Sequence, residues 1–141
     1  MKPWIVTFVT VIALSGFASV HTQDAVPKEM VPLQGTWVVT QVNGAPTPDD
    51  TALVIAGAKY SETVDGTVDE TGLFKVDASK TPMTVDLVIQ SGGDAGKTQL
   101  GIFDVKGDTM RLLLNIAGET ARPTSLEKAD GELFIVAQKK K

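Results

Sequence analysis

Beyond residue 22, apolar and polar residues alternate with a period of two in one short run after another, and no window sustains a helical period. Side chains of a strand point alternately to its two faces, so each run presents one apolar row to a core. Two runs are the clearest. Met83, Val85, Leu87 and Ile89 are interleaved with Thr84, Asp86 and Gln90, and Met110, Leu112, Leu114 and Ile116 stand opposite Arg111 and Asn115. Residues 36–42 form a β-branched run that stops at Asn43-Gly44, a strong hairpin signal. The stretch 45–50 reads as a loop, because two prolines do not fit a central strand. Further strands are predicted at 53–55, ending at Gly57; at 59–64, stopping at Asp65-Gly66; and at 73–77, with Phe74 and Val76 on one face. Strands at 99–105 and 132–138 complete the set, the last after a longer link over 117–131. The pattern therefore predicts an all-β antiparallel meander of about eight strands. Closure into a small barrel removes the exposed edges of such a meander, and a β-sandwich satisfies the same alternation.

The first 22 residues follow a different rule. One positive charge at Lys2 precedes an apolar run from Trp4 to Phe17, and small residues follow at Gly16, Ala18 and Ser19. This is the pattern of a secretory signal peptide, and it is too short for the roughly 20 apolar residues of a membrane-spanning helix. Cleavage after Ala18 and after Thr22 both fit, and an uncleaved anchor is the rival reading. The expected organisation is a signal peptide over 1–22, a linker over 23–32, and one barrel domain over 33–141. The expected location is secreted or periplasmic, with no membrane span after cleavage.

Composition narrows the chemistry. The 141 residues include no cysteine, which excludes disulfides, thiolate metal sites and cysteine nucleophiles. The single histidine, His21, falls inside the segment expected to be removed. Loss of residues 1–22 takes away Lys2 alone among charged residues, leaving 12 basic against 17 acidic ones. That balance offers no electrostatic footprint for nucleic acid. No metal or cofactor is implied.

Leu33-Gln34-Gly35-Thr36-Trp37 carries the Gly-x-Trp signature of lipocalin-like barrels. The segments running from Asp77 through Ser79-Lys80-Thr81-Pro82 to Asp86-Leu87, then Gly96-Lys97-Thr98 and Gly101-Ile102-Phe103, resemble a small secreted domain abundant in planctomycetes. Gly107-Asp108-Thr109-Met110 and Arg122-Pro123-Thr124 extend the resemblance, which covers roughly residues 33–138. It implies a lipocalin-like fold and an envelope or extracellular setting, and it implies no reaction. In such barrels Gly35 and Trp37 are structural, the indole plugging one end beneath an arginine. Arg122 is the candidate for that partner.

Several features admit two readings. Trp37, Phe74, Val85, Leu87, Phe103, Leu112 and Leu114 are candidates either to line a ligand cavity or to pack as core. Asp77, Asp86 and Arg122 could form a polar cluster; a salt bridge tying the long link to the barrel wall is simpler than catalysis. Residues 91–98 approach a phosphate-binding loop, but Ser91 stands where its first glycine belongs and a strand follows instead of a helix. Asp65, Asp69 and Glu70 could hold calcium weakly, although their spacing does not fit the helix-loop-helix calcium loop. The terminal lysines 139–141 are expected to fray.

About 119 residues remain after cleavage, too few to support a large void, so a small pocket or none is expected. Loops 43–50 and 91–97 would form its rim. The leading expectation is a non-catalytic exported barrel that binds a small, mainly apolar molecule. A structural or protein-interaction module of the cell envelope is the second reading, and a carboxylate-dependent hydrolase the third.

Overall fold

The structure is a computed structural model that describes residues 26–47, 49–127 and 132–141. The segment read as a signal peptide lies outside the described residues. A 3₁₀ helix (Lys28–Leu33) precedes nine strands: β1 (Gly35–Val42), β2 (Ala45–Pro46), β3 (Thr51–Ala56), β4 (Lys59–Val64), β5 (Thr67–Asp77), β6 (Met83–Ser91), β7 (Thr98–Lys106), β8 (Thr109–Leu114) and β9 (Leu133–Lys139). From β3 onward each strand pairs antiparallel with the next, β3 pairs with β1, and β9 returns to pair with β1. That last ladder closes an eight-stranded barrel and decides between barrel and sandwich. The two-residue β2 is an addition alongside β1.

The turns follow from their sequences. Asn43 and Gly44 have φ of 52° and 79°, and Asp65 and Gly66 have 49° and 80°. Two successive positive φ values suit the twist of a tight hairpin, and Asn-Gly and Asp-Gly accept them at low cost. Inside, Trp37, Phe74, Val85 and Phe103 have no exposed surface, and Leu87, Leu112 and Leu114 are nearly as buried. Tyr60 meets Phe74 edge-on at 6.3 Å between ring centres, and Phe74 meets Phe103 at 6.1 Å. These T-shaped contacts fill the middle of the barrel with rigid rings.

The structure departs from the sequence reading in five places. Residues 28–32 are not linker: Met30 and Leu33 of the 3₁₀ helix are 2% and 1% exposed and belong to the core. The stretch 45–50 is not all loop, because Ala45 and Pro46 pair with β1. β5 begins at Thr67 rather than 73, since Thr67–Thr71 continue the ladder with β4 despite lacking an apolar row. Ile116, expected to point inward, is 48% exposed. The Asn115 side chain accepts the Ile116 N–H and donates to the Ala121 carbonyl, turning the chain away from β8 before Ile116 is reached. The terminal lysines are engaged: the Lys140 N–H donates to the Thr36 carbonyl at 2.8 Å, and Lys141 pairs with Asp108 at 3.4 Å.

Ile102 and Leu113 pair across β7 and β8 on the face opposite Phe103 and Leu112, yet both are buried. Arg122, in the segment after β8, fastens that segment to this outer side of the wall, and Pro123 beside it is buried. Part of the barrel is therefore apolar on both faces.

Candidate functional site

The strands run alternately between two ends of the barrel, and the ends differ. One is closed by the 3₁₀ helix. The Trp37 indole Nε1–H donates to the Leu33 carbonyl at 2.8 Å, and Met30 and Leu33 join the core there. Gln34 latches the segment down: its amide donates to the carbonyls of Met30 (3.0 Å) and Gly57 (2.8 Å) and accepts the Gly57 N–H (2.7 Å). The cation over the Trp37 ring is Lys139, at 5.5 Å from the ring centre, where Arg122 was expected. Trp37 and Lys139 are direct partners in the β1–β9 ladder, so register places the ammonium there. Arg122 is committed elsewhere on the wall.

The opposite end holds a pocket of about 200 Å³, lined by Val39, Val42, Thr51, Leu53, Glu62, Leu133 and Ile135. These residues come from four neighbouring strands, β9, β1, β3 and β4. A bulge between Val39 and Gln41 sets the β1 wall. The extra residue shifts the alternation, so Val42, opposite Ile135, faces the interior along with Val39. The aromatic rings occupy the plugged half, and only aliphatic side chains, one hydroxyl and one carboxyl remain to fill this half. The gap follows from that division of side-chain volume.

Glu62 is the one charged residue of the lining. It lies directly opposite Glu70 across β4 and β5, just before a second bulge. Glu70 accepts a hydrogen bond from the Tyr60 hydroxyl at 2.7 Å. Burial, then the charges of Glu70 and Asp69, push the Glu62 carboxyl above the ordinary carboxylate range. Burial first, and then the hydrogen bond and charge of Glu70, push the Tyr60 hydroxyl up as well, so it stays a donor. A carboxyl raised in the folded state binds its proton more tightly there than in the unfolded chain. Its contribution therefore turns unfavourable as pH rises from the unfolded value through the folded one, and the penalty is complete above that. Glu62→Gln is expected to stabilise the barrel at neutral pH by roughly 0.2–1 kcal/mol, the range for relieving a like-charge cross-strand pair. The gain should vanish in acid, where urea unfolding of both proteins should coincide.

None of the seven residues proposed from sequence as lining or core borders this pocket. Trp37, Phe74, Val85, Leu87, Phe103, Leu112 and Leu114 all pack into the solid core. They are the largest or most central side chains of the inward rows, and close packing consumes the space between them. The pocket lies against β9, β1, β3 and β4, strands that supply only Trp37 among the seven. Of the two loops expected at the rim, 43–50 adjoins the lining at Val42 and Thr51. Loop 91–97 sits at the same end but contributes no lining residue.

The polar cluster forms only in part. The Arg122 guanidinium donates to Asp86 at 2.5 Å and to the carbonyls of Val85 and Gly101 at 2.9 Å each. Asp86 thus faces outward and is held in an ion pair with the link. Asp77 instead accepts from the Ser79 hydroxyl at 2.5 Å and the Ser79 N–H at 3.0 Å, which hold its carboxyl below the ordinary range. Among the proposed calcium residues, Asp65 accepts the Asp50 N–H and Glu70 binds Tyr60. Arg122→Ala should cost about 1–3 kcal/mol, the range for losing hydrogen bonds to a charged group, measured by urea unfolding. It should also open residues 115–127 to limited proteolysis while the barrel strands stay protected.

Comparison of the chain with family models, curated proteins and solved structures returned no match.

Proposed function

We propose that this protein is a non-catalytic, exported barrel that holds a small, mainly apolar molecule at its open end. The observation that carries the reading is the pocket itself: five of its seven lining residues are aliphatic, and it lies across the barrel from a tightly closed end. Apolar pockets of about 150 Å³ stay dry and take up benzene or xenon, so this volume suits a single ring or a short branched chain. Burial of some six carbons at about 0.8 kcal/mol each gives on the order of 5 kcal/mol, which corresponds to sub-millimolar affinity.

Calorimetric titration of the purified barrel with toluene and with xenon tests the proposal. Saturable, mutually competitive binding is expected, lost in Val42→Phe, whose ring fills the pocket mouth without altering the circular dichroism spectrum. Absence of saturable binding by either probe overturns it. Export is part of the same proposal and rests on the charged start and apolar run of residues 1–22. N-terminal sequencing of the protein from its own cells is expected to begin after Ala18 or Thr22; a chain beginning at Met1 counts against it.

A further inference from the structure

The open-end pocket carries one polar feature that hydrocarbon binding does not use. Glu62 stands in a wall otherwise made of Val39, Val42, Leu53, Leu133 and Ile135, with Thr51 the one other polar lining residue. Three other acids of the barrel wall have partners: Asp86 has Arg122, Asp104 has Arg111, and Glu70 has the Tyr60 hydroxyl. Among the described residues, the Glu62 carboxylate accepts no hydrogen bond, and none of the four ion pairs includes it. An ionised carboxylate in apolar surroundings is costly unless it is paired. Here the nearest charge across the ladder is a second carboxylate, which adds repulsion.

We infer that the ligand of this pocket is a small organic ammonium, an apolar ring or branched chain bearing one amine that pairs with Glu62. The inference rests on the binding reading above and specifies its ligand class. The aliphatic walls bury the hydrocarbon body, and the ammonium sits at the carboxylate, where a charge-assisted hydrogen bond is about twice as strong as a neutral one. Thr51 supplies an additional oxygen acceptor at the same rim. A neutral ligand leaves the Glu62 charge unpaired, and a carboxylate ligand meets both Glu62 and Glu70. A divalent metal ion is a poorer occupant: it needs six or more oxygens, and no group of three or more acidic or histidine side chains among the described residues is placed to hold one.

The test is a matched series: toluene, benzyl alcohol, benzylamine and benzoate, titrated by calorimetry into the wild-type protein and Glu62→Gln at neutral pH. Benzylamine is expected to bind the wild type at least about tenfold more tightly than benzyl alcohol, with benzoate weakest. In Glu62→Gln the preference for the amine over the alcohol disappears. In the wild type the preference also fades as the solution is acidified through the titration of Glu62. The titratable groups facing Glu62 are Glu70 and Asp69 from β5 and Tyr60 from β4; the lining residues of β1, β3 and β9 carry none. Toluene binding with equal affinity for alcohol and amine sinks the inference and leaves the binding reading intact. An amine preference that survives in Glu62→Gln also sinks it, since the anion would then lie elsewhere. Failure of every probe to bind sinks the binding reading itself.

Discussion

Trp37→Ala is expected to destabilise the barrel by about 3–5 kcal/mol, the range for truncating a fully buried aromatic side chain. Three losses combine. The indole has no exposed surface, so its removal leaves a cavity among Met30, Leu33 and the start of β1. The Leu33 carbonyl loses its 2.8 Å donor, and the 3₁₀ helix loses the contact that fixes it over the barrel end. Lys139 loses the ring beneath its ammonium. Trp37→Phe keeps most of the volume but not the donor and should cost about 1–3 kcal/mol, so the reading is tested even if the alanine variant does not fold. Equilibrium urea unfolding measures both. A loss below about 1 kcal/mol for Trp37→Ala would mean that the 3₁₀ helix holds the end closed without the indole.

Gly72→Ala is expected to be nearly as damaging, for a different reason. A methyl at Gly72 would collide with the carbonyl oxygen of Val88 and lie 2.8 Å from Cε1 of Tyr60. The first of these is backbone in the neighbouring strand β6, so relief requires β5 and β6 to part where β5 changes register between Thr71 and Gly72. The cost should reach or exceed the upper end of the 1–3 kcal/mol typical of overpacking. Gly93→Ala is the control. Its added methyl meets nothing within 4 Å, so it should fall within about 0.5 kcal/mol of wild type. Similar losses in the two variants would show that general glycine effects, rather than the approach of β6, set the cost.

These two positions illustrate what the sequence made legible. Trp37 was legible as a structural residue through the resemblance of Gly35-Thr36-Trp37 to the Gly-x-Trp signature of lipocalin-like barrels. Its cationic neighbour was not visible: the choice between Arg122 and Lys139 depends on the β1–β9 register, which one strand's pattern does not contain. Gly72 lies in a stretch without an apolar row. The close approach of two backbones leaves no trace in alternation, which also explains why the first half of β5 was missed. The eight barrel strands were legible because their inward rows are apolar over several residues and their turns are chemically marked.

The pocket was hidden by the same logic. Alternation reports which face a residue occupies, but not how far along the barrel axis the aromatic filling extends. The candidates drawn from the strongest rows, from Phe74 to Leu114, therefore fell in the packed centre. Val39 and Val42 both face inward because of a bulge, and a strict period of two would send one of them outward. Glu62 looked like any polar strand residue. The available signal was its spacing of two from Tyr60, an inward aromatic, which puts an acid on the core face of β4. The 3₁₀ helix escaped because six residues are too few for periodicity and Pro32 argues against ordinary helix.

The central claim is that the barrel is packed solid at its plugged half and receptive at its open half. Methyl-resolved NMR during a toluene titration addresses both halves in one experiment. The account predicts saturable shifts at the methyls of Val39, Val42, Leu53, Leu133 and Ile135, while Met30, Leu33 and Ile55 at the plugged end stay unmoved. Saturable shifts at Met30, Leu33 or Ile55 with the open-end methyls silent, or no saturable shift at any methyl, would contradict it.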